Sequence, residues 1–535
     1  MSLASLHAAR ARSGTRTPAP PAWLVGAGVL VALLGLLPIG YLLILAGSSE
    51  DAASLVLRDR TLGVLGRTLL LAAIVTTASI LIGVPVAWLT ARSDLPGRRA
   101  WTILTLVPLV VPSYVGGYAV VATFGPRGAL QTLLEPLGVD RLPDLYGLPG
   151  AALALTLFSF PYVVLSVRGT LLRLDPAFEE VSRSLGRGPW RTFLTVTLPQ
   201  LRPAITSGAL LVALYSLADF GAVSLLQFDS FTRAIYVQYR SSFDPTLAAV
   251  LALMLVACTA GVLVAEARLR GRGRYHRSGG GATRPAATVA LGPWRWPALA
   301  FLATVVGLAV VVPVGTIGFW LVRGLNAGEA FGPVWGAALN SVAASGLAAV
   351  LAVLASIPVA VLAVRHRGVV ATLVERGSYA GFALPGIVIG LALVFVAARY
   401  LPWIYQTLPL LLVAYLIRFV PEAVGVTRAS LLQVSPRLEE VARTLGRSPG
   451  GVLRQVTLPI IRPGLVAGGA LVFLTAMKEL PTTILLAPTG FDTLAVRIWS
   501  ATSEGFFARA ALPALLMVLV AAASLWFVLR QERGR

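Results

Sequence analysis

Apolar stretches alternate with short polar segments along the chain from residue 23 onward. Each stretch is close to the ~20 residues that an α-helix needs to cross the hydrocarbon core of a bilayer, and there are about twelve of them. This pattern predicts an all-α polytopic membrane protein. The predicted spans lie at 23–47, 64–91, 100–124, 147–168, 204–226 and 246–266, and then at 296–322, 335–364, 378–398, 407–430, 464–487 and 510–530.

The composition agrees with this class and changes how the net charge is interpreted. Hydrophobic residues make up 57% of the chain and charged residues 13%, whereas a soluble globular chain carries roughly 25% charge. A net charge of +21 would suggest a nucleic-acid partner for a soluble protein. Here the arginines collect in alternate segments between the apolar stretches, as in cytoplasmic loops of membrane proteins. The expected partner is therefore the lipid bilayer, and no nucleic acid.

The arginine-rich segments also predict the orientation. Arginine is in excess after the second, fourth and eighth predicted spans, and such an excess marks the cytoplasmic side. Both termini of this multi-pass membrane protein are then expected to lie in the cytoplasm. The predicted parts are a disordered cytoplasmic tail (1–22), a first membrane half (23–266), a cytoplasmic linker that contains three consecutive glycines (267–293), a second membrane half (294–530) and a C-terminal cytoplasmic tail (531–535).

One polar block of sequence occurs twice, 260 positions apart. In each copy an acidic residue is followed six positions later by glycine. A Leu-Pro pair comes after the glycine, and the distance from the glycine to this pair is the same in both copies. The spacing predicts two short helices joined by a glycine turn, which would protrude on the cytoplasmic face. The shared residues are Glu180, Gly186, Leu198 and Pro199 in the first copy and Glu440, Gly446, Leu458 and Pro459 in the second.

The repeat extends upstream of this block. There the offset is 273 positions, which relates Pro85 to Pro358 and Pro112 to Pro385. Each half therefore contributes six predicted spans in the same orientation. Two parallel six-helix repeats imply a pseudo-two-fold axis along the membrane normal and a pathway between the halves.

The duplicated block resembles the EAA loop of ABC importer permeases. The glutamate, the glycine and the Leu-Pro pair match in both copies, whereas the Ala-Ala pair of the motif is Val181-Ser182 in one copy and Val441-Ala442 in the other. The resemblance implies that each copy is a coupling loop that docks on an ATP-hydrolysing subunit, and that the protein lies in the bacterial cytoplasmic (inner) membrane. We call residues 180–199 the first coupling loop and residues 440–459 the second coupling loop.

This resemblance also implies a division of labour among subunits. Lys478, the only lysine, has no glycine-rich loop before it, so the chain has no P-loop and ATP is expected to bind a partner. Two coupling loops imply two copies of the ABC ATPase, and an extracytoplasmic substrate-binding protein would deliver the substrate. No catalytic residue and no cofactor are expected in this chain.

Two coupling loops in one polypeptide are similar to the fused ferric-iron permeases. Segments Ala218-Asp219-Phe220-Gly221 and Lys478-Glu479-Leu480-Pro481 look like segments of that family. Ferric iron is therefore the expected substrate, with thiamine, a phosphonate or a polyamine as alternatives. A secondary transporter of the major-facilitator type is the alternative from another class, because it also has two parallel halves.

Five residues within the predicted spans are candidates for the pathway or for the contact between the halves. Asp219, Lys478 and Glu479 either line the pathway or pair across the half interface, and the second interpretation is favoured because buried charges need partners. Tyr114 and Tyr118 follow Pro112 on a broken span, where they either face substrate or sit at the lipid interface, which is the commoner role. The three histidines are scattered and the chain has one cysteine, so no metal site is assigned.

Overall fold

A computed structural model describes residues 20–533, apart from residues 49, 51, 127, 140, 141, 176, 242–244, 270–287, 331, 333 and 367. The described residues form α-helices joined by short turns, which confirms the all-α membrane class. Residues 1–19, 534 and 535 of the predicted tails and residues 270–287 of the predicted linker lie outside the described residues.

Long apolar helices occur at the predicted positions. Within the described residues, nine are long and apolar enough to cross a membrane, or eleven if each of two bent helix pairs is one span. The last helix, Phe507–Arg533, occupies the twelfth predicted position, and the count of about twelve stays a prediction. The nine are Ala22–Gly47, Asp59–Arg92, Leu148–Leu171, Phe193–Ala218, Pro245–Glu266, Gly292–Asn326, Val334–Arg365, Leu408–Leu432 and Pro449–Met477.

The two bent pairs are the same feature in the two repeats. Arg98–Val110 meets Ser113–Leu137 at a bend of 98°, and Val369–Phe382 meets Gly386–Tyr400 at 103°. Pro112 and Pro385 occupy the breaks with extended backbone, where a residue without an N–H leaves no helical hydrogen bond unmade. Pro112 and Pro385, which are related by the offset of 273, thus mark a duplicated break. Shorter helices in the chain are Ala52–Val56, Ala129–Leu134, Gly221–Leu225, Phe231–Ser241, Pro481–Leu486 and Leu494–Ser503.

One compact unit combines the described part of Met1–Pro38 with Gly346–Phe382 and Tyr415–Ala476. Its core packs Leu24 and Val31 of the first helix against apolar residues of the second repeat, such as Leu362 and Val420. A Cβ atom added at Gly35 would lie 2.6 Å from the carbonyl oxygen of Gly377, so glycine permits this close helix contact. The first helix of the chain therefore packs on helices of the second repeat.

The other compact unit contains Ile39–Ser345, Ala383–Ala414 and Met477–Arg535. Here the first long helix of the second repeat packs on the first repeat. Trp320 Nε1 donates to the carbonyl oxygen of Ala122 at 3.1 Å, and the hydroxyls of Thr123 and Thr316 are 2.5 Å apart. Each repeat thus places its first helix among helices of the other, and the predicted domain boundaries stay a prediction.

Candidate functional site

The first coupling loop has a short helix and a glycine turn, but its second helical segment is continuous with a membrane helix and is not a separate short helix. Helix Ala177–Ser184 ends at Gly186, whose φ of +78° is in the left-handed region that favours glycine. A second helical segment starts at Pro189 and passes through one wide turn, Phe193–Thr197, into helix Leu198–Ala218. Leu198 and Pro199 therefore begin a membrane helix, so the loop is joined rigidly to a span.

The second coupling loop repeats this structure element by element. Helix Pro436–Thr444 ends at Gly446, with a φ of +81°. The chain then runs through the wide turn Leu453–Thr457 into helix Leu458–Met477. A Cβ atom at Gly186 or Gly446 would meet no atom within 4 Å, so glycine is needed for its φ and not for lack of space.

Each coupling loop presents an apolar stripe to its surroundings. Phe178, Val181 and Leu185 are all exposed, with 72% of Leu185 accessible. Their equivalents Leu438, Val441 and Leu445 are exposed in the second copy, with 77% of Leu445 accessible. The spacing of three and four residues puts each set on one helix face. Exposed apolar patches with polar rims are typical of protein-binding surfaces. Glu180 and Glu440 are exposed beside these stripes.

The acidic residue before each of these glutamates faces the other way, into the protein. Thr197 Oγ1 donates to Glu179 Oε1 at 2.9 Å, and Arg92 Nη2 lies 3.7 Å from the same oxygen. Arg92 ends the long helix Asp59–Arg92, so this contact connects the loop to that helix. We call Arg92, Glu179 and Thr197 the first joint.

The second repeat has an equivalent second joint, formed by Arg365, Glu439 and Thr457. Thr457 Oγ1 donates to Glu439 Oε1 at 3.0 Å, and Arg365 Nε donates to the same oxygen at 3.1 Å. Arg365 Nη2 also donates to the carbonyl oxygens of Leu431 and Val434. Arg365 ends helix Val334–Arg365, as Arg92 ends its own helix.

Sequence reasoning missed the joints, although the repeat contains a signal for them. In the sequence, Arg92 and Arg365 indicate only the arginine excess that predicts the cytoplasmic side. They are related by the offset of 273, however, while the glutamates and threonines of the joints are related by 260. A polar residue that recurs at the offset of its own repeat segment is a candidate partner for other recurring polar residues.

The two acids within the spans cap short helices. Asp219 Oδ1 accepts hydrogen bonds from the backbone N–H groups of Ala222 and Val223, at 3.0 and 3.3 Å. Glu479 Oε1 accepts from the backbone N–H and the hydroxyl of Thr482, at 3.1 and 2.6 Å. Both acids are buried and precede helices Gly221–Leu225 and Pro481–Leu486. Each carboxylate therefore satisfies N–H groups at a helix start.

The other three residues singled out within the spans are also held in contacts. Lys478 Nζ donates to the carbonyl oxygen of Leu109 at 2.8 Å, so this lysine of the second repeat reaches the first repeat. Tyr118 is fully buried and its hydroxyl donates to the carbonyl oxygen of Phe507 at 3.1 Å. Tyr114 is buried beside Gly221. Both tyrosines are therefore buried within the protein, whereas the lipid-interface role would leave them at the surface. Within the described residues, no three His, Cys, Asp or Glu side chains form a group that would hold a metal ion.

The sequence matches the family described as binding-protein-dependent transport system inner membrane component at residues 79–272 and again at residues 348–535. Each matched region contains one broken span and one coupling loop. The chain belongs to this family. It is therefore a multi-pass inner-membrane transport component rather than a catalytic enzyme, and family membership implies an ABC ATPase and a substrate-binding protein as partners. It also removes the major-facilitator alternative.

Relatives of this inner-membrane component include proteins that match most of the chain and proteins that match about a third of it. The Fe(3+)-transport system permease protein FbpB 2 of Haemophilus influenzae is 36% identical over 507 residues, which are 94% of this chain and 96% of that protein. The ferric transport system permease protein FbpB of Actinobacillus pleuropneumoniae is 24% identical over 87% of this chain and 70% of that protein. The molybdenum transport system permease protein ModB of Azotobacter vinelandii is 31% identical over 34% of this chain and 80% of that protein.

Proposed function

We propose that this chain is the permease subunit of an ATP-driven importer of ferric iron, with the translocation pathway between its two repeats. The observation that supports ferric iron as the substrate is the 36% identity to an Fe(3+)-transport permease over nearly the full length of both proteins. The duplicated coupling loops support ATP hydrolysis by partner subunits as the energy source, because each loop presents an exposed apolar stripe on which a partner could dock.

The proposed assembly contains two ATPase subunits, one on each coupling loop, and ATP binds to them and not to this chain. A substrate-binding protein delivers iron at the outer face, and both termini of the permease lie in the cytoplasm. Closure of the ATPase pair would move the two coupling loops and so favour one of two arrangements of the repeats, as any ligand favours the state that it binds better.

The joints explain how such a movement reaches the membrane. Each coupling loop continues through Leu198 or Leu458 into one span, and the adjoining Glu179 or Glu439 contacts the arginine that ends another span. A loop attached to two helices cannot move without moving at least one of them. Asp219, Glu479, Lys478, Tyr114 and Tyr118 maintain the breaks and the contacts of the spans in this proposal, and the capping bonds of the two acids support that role.

Uptake of radiolabelled ferric iron tests the proposal. Cells that lack their own iron importers would express this chain with its binding protein and its ATPase. Iron uptake that requires ATP is the expected result. If the complex assembles and its ATPase is active but no iron is taken up, the proposal of an importer stands and the proposal of ferric iron as its substrate is wrong. Molybdenum then becomes the first competitor to test because of the similarity to ModB over 34% of this chain, followed by thiamine, a phosphonate and a polyamine.

A further inference from the structure

The end of the linker between the repeats is bound to the loop that follows helix Asp59–Arg92. The backbone N–H of Val289 donates to the carbonyl oxygen of Arg92 at 2.7 Å, and that of Asp94 donates to the carbonyl oxygen of Val289 at 3.2 Å. Ser93 and Val289 thereby form the one isolated β-bridge found in the described part of the chain. The backbone N–H of Leu291 adds a bond to Asp94 Oδ1 at 2.9 Å. We call residues 288–291 the strap.

The strap and the first coupling loop are attached to the same residue. The backbone of Arg92 accepts the bond from Val289, and its side chain lies beside Glu179 of the first joint. Arg92 is only 4% exposed and Ser93 is fully buried, so this connection lies inside the protein. A displacement of the strap must therefore displace Arg92, because close-packed interiors transmit shifts instead of absorbing them.

The side chain of Arg92 is held weakly by comparison with its equivalent. Its Nε and Nη2 atoms are buried and make no hydrogen bond to any described residue. Arg365 instead donates to one carboxylate and two carbonyl oxygens of its own repeat. Among the described residues that follow Arg365, no β-bridge corresponds to that of Ser93. The first joint therefore depends on backbone bonds from the linker, whereas the second joint does not.

We propose that the strap is a positioning element for the first coupling loop: it holds Arg92 where Glu179 can contact it, so that the linker controls the coupling of one repeat and not of the other. The linker is then more than a tether between two halves. This inference rests on the proposed function only where coupling to ATP hydrolysis is concerned; the positioning itself is independent of the substrate.

Hydrogen–deuterium exchange of the purified full-length chain tests the positioning. Val289→Pro removes the N–H that bonds Arg92, and exchange in residues 177–199 should rise roughly five-fold, the change expected from one lost hydrogen bond. Exchange in residues 436–459 should not change. Ala290→Pro is the matched control, because Ala290 is exposed, and a following proline favours the extended backbone that residue 289 already has in the bridge. Equal exchange in both loops, or no change in either, would overturn the proposal.

A second pair of variants tests the same strap through coupling in the complete complex. Asp94→Ala removes the acceptor for the Leu291 N–H, whereas Asp94→Asn keeps an oxygen there. The first should lower the stimulation of ATP hydrolysis by the binding protein at unchanged basal hydrolysis, and the second should restore it. If stimulation in Asp94→Ala equals that of the wild type, the proposal that the strap positions the first coupling loop is wrong. Normal stimulation without iron uptake in the wild type contradicts only the proposed substrate, so the two failures are distinguishable.

Discussion

The two joints share one design and differ in what holds the arginine. In the second joint, Arg365 and Glu439 make a 3.1 Å ion pair that is supported by two backbone carbonyl groups. In the first joint, the side chains of Arg92 and Glu179 are 3.7 Å apart. The backbone carbonyl oxygen of Arg92 accepts a hydrogen bond from Val289. Duplication has thus preserved the position of the coupling loops while the source of their support has diverged.

This difference has a physical consequence for how each loop responds to force. A charge-assisted hydrogen bond is short and directional and fixes the angle between its partners. An ion pair beyond hydrogen-bond distance is less directional and tolerates small rotations. The second loop should therefore be the stiffer of the two, and the first loop should adjust more readily to its ATPase.

The largest effect should come from removing what both loops share. Gly186→Val together with Gly446→Val puts β-branched residues at φ values of +78° and +81°, at a cost of at least ~1–2 kcal/mol for each turn. A Cβ atom at either position would meet no atom within 4 Å, so membrane insertion should be unaffected. Iron uptake should be abolished while the amount of protein in the membrane stays normal. Uptake at the wild-type rate would refute the docking role of the loops.

The next effect should separate the joints. Arg365→Ala leaves the carboxylate of Glu439 buried without its cation, which costs about 3 kcal/mol for a buried pair. Arg92→Ala should cost nearer to ~1 kcal/mol, because Nε and Nη2 of Arg92 make no hydrogen bond to any described residue. The midpoint of thermal unfolding of the purified chain in detergent measures both.

A matched pair of conservative variants controls this comparison. Arg365→Lys keeps the charge but loses the planar fork that reaches several acceptors at once, so its midpoint should lie between those of wild type and Arg365→Ala. Arg92→Lys should resemble wild type. Equal losses of stability for Arg92→Ala and Arg365→Ala would show that the two joints are equally strong, against the geometry.

The features predicted correctly from the sequence are those that local chemistry determines. A glycine six residues after an acid in a short polar helix predicts a left-handed turn, and Gly186 and Gly446 form such turns. The sequence also predicts a broken span at Pro112, and the break is present there and again at Pro385. Glycine and proline act through their own backbone, but Pro85 and Pro358 lie inside continuous helices, so a proline alone does not predict a break.

The features that were missed depend on neighbours far away in the chain. Glu179 and Glu180 are adjacent, yet one faces the protein and the other faces outward, because successive residues of a helix point about 100° apart. Which acid is buried depends on the positions of Thr197 and Arg92, which both contact Glu179. In the same way, the capping role of Asp219 requires knowing that a new helix starts at Gly221. The first helix of each repeat packs on the other repeat, and the hydrophobic periodicity of the sequence does not predict this packing.

The two acids within the spans offer a further comparison, with a moderate expected effect. Asparagine caps a helix about as well as aspartate, so Asp219→Asn should keep both bonds and nearly normal iron uptake. Asp219→Ala should cost about 1 kcal/mol. The matched change in the second repeat is Glu479→Gln, which also retains an acceptor oxygen for Thr482. Loss of iron uptake in both amide variants at normal stability would show that charge, and not capping, is what these positions supply.

The smallest effect should come from the one hydroxyl pair that only the first coupling loop contains. Ser182 Oγ and Thr192 Oγ1 are 3.0 Å apart and buried, whereas the equivalent positions hold Ala442 and Val452. Ser182→Ala alone leaves a buried hydroxyl without this partner and should cost about 1 kcal/mol. Adding Thr192→Val should restore most of the lost stability, because replacing both partners by apolar groups is nearly neutral. The unfolding midpoints of the single and double variants decide this. If the double variant is the less stable of the two, the apolar pair of the second loop is not interchangeable with the hydroxyl pair of the first, and the loops differ in their packing as well as in their joints.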